Sequence, residues 1–224
     1  MKTRAFIIML AMMLTAGILK TSAQGLSLGA KAGIGIPYFT HFDLMDDDLK
    51  RTPGIMAQGG FILNYKFNSL IGIQAELLYQ QKGEKIKGYI NDLEEDVETR
   101  ILLNYLTLPV LVQVSHSFNN FNLFGGFGPY IGYALNGKII ETQPEKVENK
   151  LQFGKNNFRR IDFGLSFDLG CGYKVGPGNL FLDLRYDLGF LDVFYITGSP
   201  EGYKKRCPRS ADITVGYLIP IGKK

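Results

Sequence analysis

The sequence predicts an all-β chain, an eight-stranded antiparallel up-and-down transmembrane β-barrel after a cleaved signal peptide. Three observations predict it. Large apolar residues alternate with small or charged ones in eight separate runs. The connections between the runs are short and long in turn. The N-terminus has the charged, apolar and small-residue regions of a secretory signal.

The clearest run is 160–175. Ile161, Phe163, Leu165, Phe167, Leu169, Cys171, Tyr173 and Val175 fall on one parity, and Arg160, Asp162, Ser166, Asp168 and Lys174 with three glycines fall on the other. A period of two at this length means a strand with chemically opposed faces. The same reading gives strands over 25–37, 54–67, 69–82, 101–115, 120–137, 158–176, 178–192 and 210–222. Phe67-Asn-Ser69, Ser115 to Asn120 and Gly176-Pro-Gly178 make tight turns. Segments 38–53, 83–100, 138–157 and 193–209 make long loops. Short periplasmic turns alternating with long outer loops are the outer-membrane pattern, and an even strand count brings both termini to the periplasmic side.

Period alone does not say which face points outward. A soluble, lipocalin-like periplasmic binding barrel has the same alternation turned inside out. Volume decides for the membrane. Each run offers five or six large apolar residues, and an eight-stranded interior is just wide enough for side chains to fill. The opposite parity, rich in Gly, Ser, Asn and Gln, fits that interior. Aromatic residues near the strand ends (Tyr38, Phe39, Tyr65, Phe67, Phe118, Phe121, Phe194, Tyr195) are expected to form girdles at the membrane interfaces.

The domain division follows. Residues 1–23 are read as the signal peptide: Lys2 and Arg4, then the uncharged stretch Ala5 to Leu19, then Thr21-Ser-Ala23 before Gln24. Residues 24–224 are read as one outer-membrane barrel domain. The whole chain carries +4, but without 1–23 it holds 22 Lys and Arg against 21 Asp and Glu, a net of +1. Clustered cations interleaved with aromatics are lacking, so no nucleic acid is expected as a partner. Beyond residue 24 there is no apolar run long enough for a spanning helix. Cys171 and Cys207 lack the spacing of a disulfide framework or a metal site and are read as free thiols.

The eight runs resemble the PorT-like family of small outer-membrane β-barrels. The resembling residues are Leu26-Ser-Leu-Gly-Ala-Lys-Ala-Gly33, Tyr105-Leu-Thr-Leu-Pro-Val-Leu111, Gly128-Pro-Tyr-Ile-Gly132, Asp162-Phe-Gly-Leu165, Leu182-Asp-Leu-Arg-Tyr-Asp-Leu-Gly189 and Val215-Gly-Tyr217. The resemblance spans the chain after residue 24 and implies an outer-membrane barrel of a Gram-negative cell, for most members without an assigned biochemical role. The closing Ile221-Gly-Lys-Lys224 departs from the aromatic end that many such barrels carry.

Inward parity selects the candidate functional residues. Glu76, with Gln74 and Gln80, lies on the third strand; Arg160, Asp162 and Asp168 lie on the sixth; Asp183, Arg185 and Asp187 lie on the seventh. Opposite charges in a narrow lumen are expected to pair, because unpaired buried charge is costly. The set is read as a structural polar network that plugs and registers the barrel. A catalytic site needs a base, an orienting group and a nucleophile together. His41 and His116 are the two histidines and fall at opposite ends, so no catalytic, cofactor or metal site is expected. Gly33-Ile-Gly35, Gly125-Gly-Phe-Gly128 and Gly170-Cys-Gly172 lack the strand–turn–helix setting of a phosphate loop.

The outer loops carry charge, acidic at Asp46-Asp-Asp48 and Glu94-Glu-Asp-Val-Glu98 and basic at Lys204-Lys-Arg206. Expected partners are outer-membrane lipid, the barrel-assembly machinery and an unidentified protein at the outer loops. The expected role is a monomeric or weakly associating surface scaffold. The alternative is a narrow pore or an accessory of a secretion or uptake system.

Overall fold

The computed structural model describes residues 25–40, 49–52, 54–90, 95–142, 146–155, 157–196 and 203–221. The signal-peptide reading, His41, Asp46-Asp-Asp48 and Glu94 lie outside these residues. Among the described residues ten strands are formed: β1 (Leu26–Phe39), β2 (Leu49–Thr52), β3 (Met56–Lys66), β4 (Ile71–Ile90), β5 (Glu95–Phe118), β6 (Phe121–Thr142), β7 (Lys146–Lys150), β8 (Ile161–Val175), β9 (Gly178–Gly189) and β10 (Pro208–Pro220). Eight of them close a barrel in the order β1-β3-β4-β5-β6-β8-β9-β10, all antiparallel. The last pairing, β1 with β10, runs from Ser27↔Pro220 to Phe39↔Pro208. Closure leaves the eight-stranded ring without an edge, which is the condition for strands in lipid. The two short strands sit outside the ring, β2 against β4 and β7 against β6.

Side chains sort as the period demands. Along β9 and β10 buried and exposed residues alternate, with the apolar parity outside. Phe61 is 66% exposed and Leu169 65% exposed, and such residues cover the wall all round. An apolar surface of this extent is stable only against lipid. The soluble, inward-facing alternative is thereby excluded.

The outer ends differ from the sequence reading. Segments 83–100 and 138–157 were expected as loops, yet the β4–β5 ladder continues to Ile90↔Glu95 and the β5–β6 ladder to Thr99↔Glu141. Above the bilayer no outer face has to be apolar, so the period that marks a strand fades while backbone pairing goes on. The register also slips between Asn104 and Tyr105, inserting one residue in β6 and breaking the parity there. In this extension Glu98 lies 2.8 Å from Lys85 and 2.9 Å from Lys87, and hydrogen bonds from both hold its carboxyl below the usual range.

The girdle reading also needs correction. Tyr38, Phe67, Phe118 and Phe121 are exposed at the rims. Phe39 is buried and points into the outer mouth, where Phe158 and Val193 meet it, and Phe194 packs against that cluster rather than facing lipid. Loop 190–196 folds over the mouth, so Val193 and Phe194 turn inward, while Phe190 and Tyr195 stay exposed. Cys171 and Cys207 are both free.

The interior is not wholly polar. Near the short-turn end Phe124 lies edge-on to Phe181, at a centroid distance of 6.0 Å, with Ile62 and Leu218 beside them. The two rings fit because inward positions opposite them lack side chains: Phe124 pairs with Gly170 and Phe181 with Gly216. A Cβ on either glycine would collide with the ring. Gly216→Val is therefore expected to cost about 1–3 kcal/mol by overpacking. A thermal melt followed by far-UV circular dichroism checks this, and an unchanged midpoint would refute the packing account.

Candidate functional site

Inward-pointing side chains fill the lumen in layers. At the short-turn end Asn64 donates to Gln74 (3.0 Å) and to Gln113 (2.8 Å). This amide layer borders a cavity of about 330 Å³ that includes Lys66, Asn122 and Lys174 in its lining.

The next layer is ionic. Arg185, on β9, reaches across the barrel to Glu76, on β4. Its Nη1 meets Oε2 and its Nη2 meets Oε1, both at 2.7 Å. This is the planar two-point fit that guanidinium and carboxylate geometry favours. Lys31 Nζ stands 2.9 Å from Glu76 and 2.8 Å from Asp183, and Gln74 donates to Glu76 at 2.6 Å. Thr214 donates to Asp183 at 3.2 Å. Asp168 faces Arg185 at 3.6 Å. Arg185 is 3% exposed and Glu76 2%.

Further out, Asp187 accepts from Ser166 (2.6 Å) and Gln80 (3.2 Å), and Thr107 donates to Gln80 (2.5 Å). Above them Lys82 Nζ lies 2.8 Å from Asp162, and Tyr130 donates to the same carboxylate at 3.0 Å. The ammonium also sits over the Tyr130 ring, 4.5 Å from its centroid. An apolar cap of Leu103, Tyr105, Ala134, Phe39, Phe158 and Val193 ends the stack.

Six of the seven residues singled out from sequence lie in this column: Glu76, Asp162, Asp168, Asp183, Arg185 and Asp187. Arg160 does not. It precedes the first residue of β8, is exposed, donates to the Ala134 carbonyl at 3.2 Å and stacks on Phe153 and Tyr133 at the outer rim. The strand begins at Ile161 and not at 158 as expected, so the lumen does not enclose Arg160. Lys31 and Lys82 supply the cations that Arg160 was expected to supply. Both fall on the inward parity of their strands, a signal present in the sequence.

The lumen is acidic. Among the described residues, eight carboxyl groups are buried; Asp192 belongs to the outer loop, and the other seven (Glu76, Glu84, Asp162, Asp168, Asp183, Asp187, Asp212) share the interior with three buried cations. His116 lies on the outer wall, its ring 4.4 Å from that of Phe118. Among the described residues no cluster of His, Cys, Asp and Glu has the arrangement of a metal site.

Residues 21–195 match the family described as outer membrane protein beta-barrel domain. No curated protein matches the chain. Solved structures similar to it include Neisserial surface protein A (TM-score 0.49, 11% identity, covering 88% of this chain and 97% of that one). OprG from Pseudomonas aeruginosa is similar at a TM-score of 0.49 and 14% identity, covering 89% of this chain and 98% of that one. Ail, the attachment invasion locus protein of Yersinia pestis, is similar at 0.41 and 14%, covering 88% and 99%. Likenesses this distant carry no functional argument. The family match spans most of the chain and agrees with the closed ring and its apolar wall: the chain belongs to the outer membrane protein beta-barrel domain family and is an integral protein of the outer membrane.

Proposed function

We propose that the protein is a closed, non-catalytic scaffold that presents its long-loop end to partners outside the cell. One observation carries this reading: the lumen is crossed at mid-height by Arg185, Glu76, Lys31 and Asp183, all buried and mutually bonded. A layer so filled closes the lumen to through passage at that height. Lipid covers the wall, the barrel-assembly machinery inserts it, and an unidentified protein meets the loops. The motifs from Leu26-Ser-Leu to Val215-Gly-Tyr217 support the narrower placement among PorT-like barrels. Without a base, orienting group and nucleophile together, enzyme activity has no support among the described residues.

The alternative of a narrow pore draws on a different observation: the occluding layer consists of side chains, which can move, rather than backbone. Planar-bilayer recording separates the two. The wild-type protein is expected to give no unitary current steps, and Glu76→Ala/Arg185→Ala, which removes both partners together, is expected to give small ones. Steady current through the wild type would refute the closed scaffold and favour the pore.

A further inference from the structure

The outer rim above β8, β9 and β10 is strongly cationic. The described residues of 151–160 and 189–210 hold seven Lys and Arg and one carboxylate, Asp192. That carboxylate is already engaged, accepting from Tyr203 Oη (2.8 Å), Phe194 N (3.1 Å) and Arg206 N (3.3 Å). It holds the loop's own geometry, and its one negative charge leaves the described patch at a net of +6 (7 − 1).

Three of the guanidinium groups lie over aromatic rings. Arg159 is 4.8 Å from the Tyr195 centroid, Arg160 is 4.5 Å from that of Phe153, and Arg206 is 5.2 Å from that of Phe194. Stacking fixes the plane of a guanidinium while its edge can still donate to an anion. Arg160 also lies 5.8 Å from the ring of Tyr133, a half-exposed residue of the outer wall, and is followed by the wall residues Ile161 and Phe163. Arg209 sits on the same outward parity of β10, opposite Tyr38 and Leu188, and donates to the Gly189 carbonyl. The patch therefore continues from the loops onto the wall, where apolar surface gives way to polar. A soluble anion would need only the loop face. Cations set directly above a lipid-covered wall face the head groups.

We propose that this rim binds phosphate groups of outer-leaflet lipid. The inference rests on the membrane placement and not on whether the lumen conducts. Native mass spectrometry of the detergent-purified protein tests it, using lipid A carrying two phosphates and the same lipid with both removed. Retention of the phosphorylated form is expected to be at least tenfold tighter. Arg160→Gln/Lys204→Gln/Lys205→Gln is expected to lose about fivefold in affinity for each cation removed. The triple variant should keep the faster gel migration of the unboiled barrel, which reports folding. The wild-type comparison of the two lipids needs no variant and stands by itself. Equal retention of both lipids would overturn the proposal. Inositol hexakisphosphate binding as tightly as the lipid and displacing it would overturn it too, reassigning the patch to a soluble polyanion.

Discussion

Arg185→Leu is expected to destabilise the barrel by about 3–5 kcal/mol, the range found when one member of a buried ion pair is removed. The loss has identifiable parts. Glu76 gives up two contacts of 2.7 Å and keeps Lys31 and Gln74. Asp168 and Asp183 lose a cation 3.6 and 3.8 Å away. The lumen, already richer in carboxylates than in cations, becomes more so. The chain has no tryptophan, so unfolding in urea is best followed by far-UV circular dichroism or by gel migration without boiling. A variant that unfolds at the wild-type urea concentration would show that the ionic layer adds no stability.

Lys82→Met is expected to cost about 3 kcal/mol for the same reason at a different level of the lumen. It strips Asp162 of its 2.8 Å partner and leaves the carboxylate with Tyr130 alone among the bonds described above. The double variant Lys82→Met/Asp162→Leu removes the stranded charge and is expected to recover at least half of that loss. The pair is the sharper test, because a general loss of packing would make the double variant worse than the single one. Thermal midpoints of wild type and the two variants in one detergent decide between these outcomes.

The wall of the barrel was legible in the sequence because lipid imposes a strict rule. Every outward residue across the bilayer must be apolar, so parity showed all eight strands and their order. Beyond the bilayer the rule lapses, and the outer ends of β4, β5 and β6 (83–90, 95–100 and 138–142) were hidden, as were β2 and β7. Inside, parity told which residues share the lumen but not which ones touch. Asp183 and Arg185 share a strand and a face, yet the closest partner of each lies on a strand not adjacent to it, Lys31 of β1 for one and Glu76 of β4 for the other. Such pairings depend on barrel closure and on the stagger between strands, which no local pattern records. Arg160 shows the opposite failure. Its parity was right and its height was wrong.

The unequal strand lengths bear on how the cell surface is approached. β5 has 24 residues and β9 has 12. The difference lifts one side about 30 Å above the other, taking roughly 3.3 Å per residue and a tilt of about 40°. The tube is cut obliquely. Among the described residues the β4–β5–β6 side stands as a parapet over the low side, where Arg159, Arg160, Arg206 and Arg209 lie, so a bulky body descending on the membrane meets the parapet first.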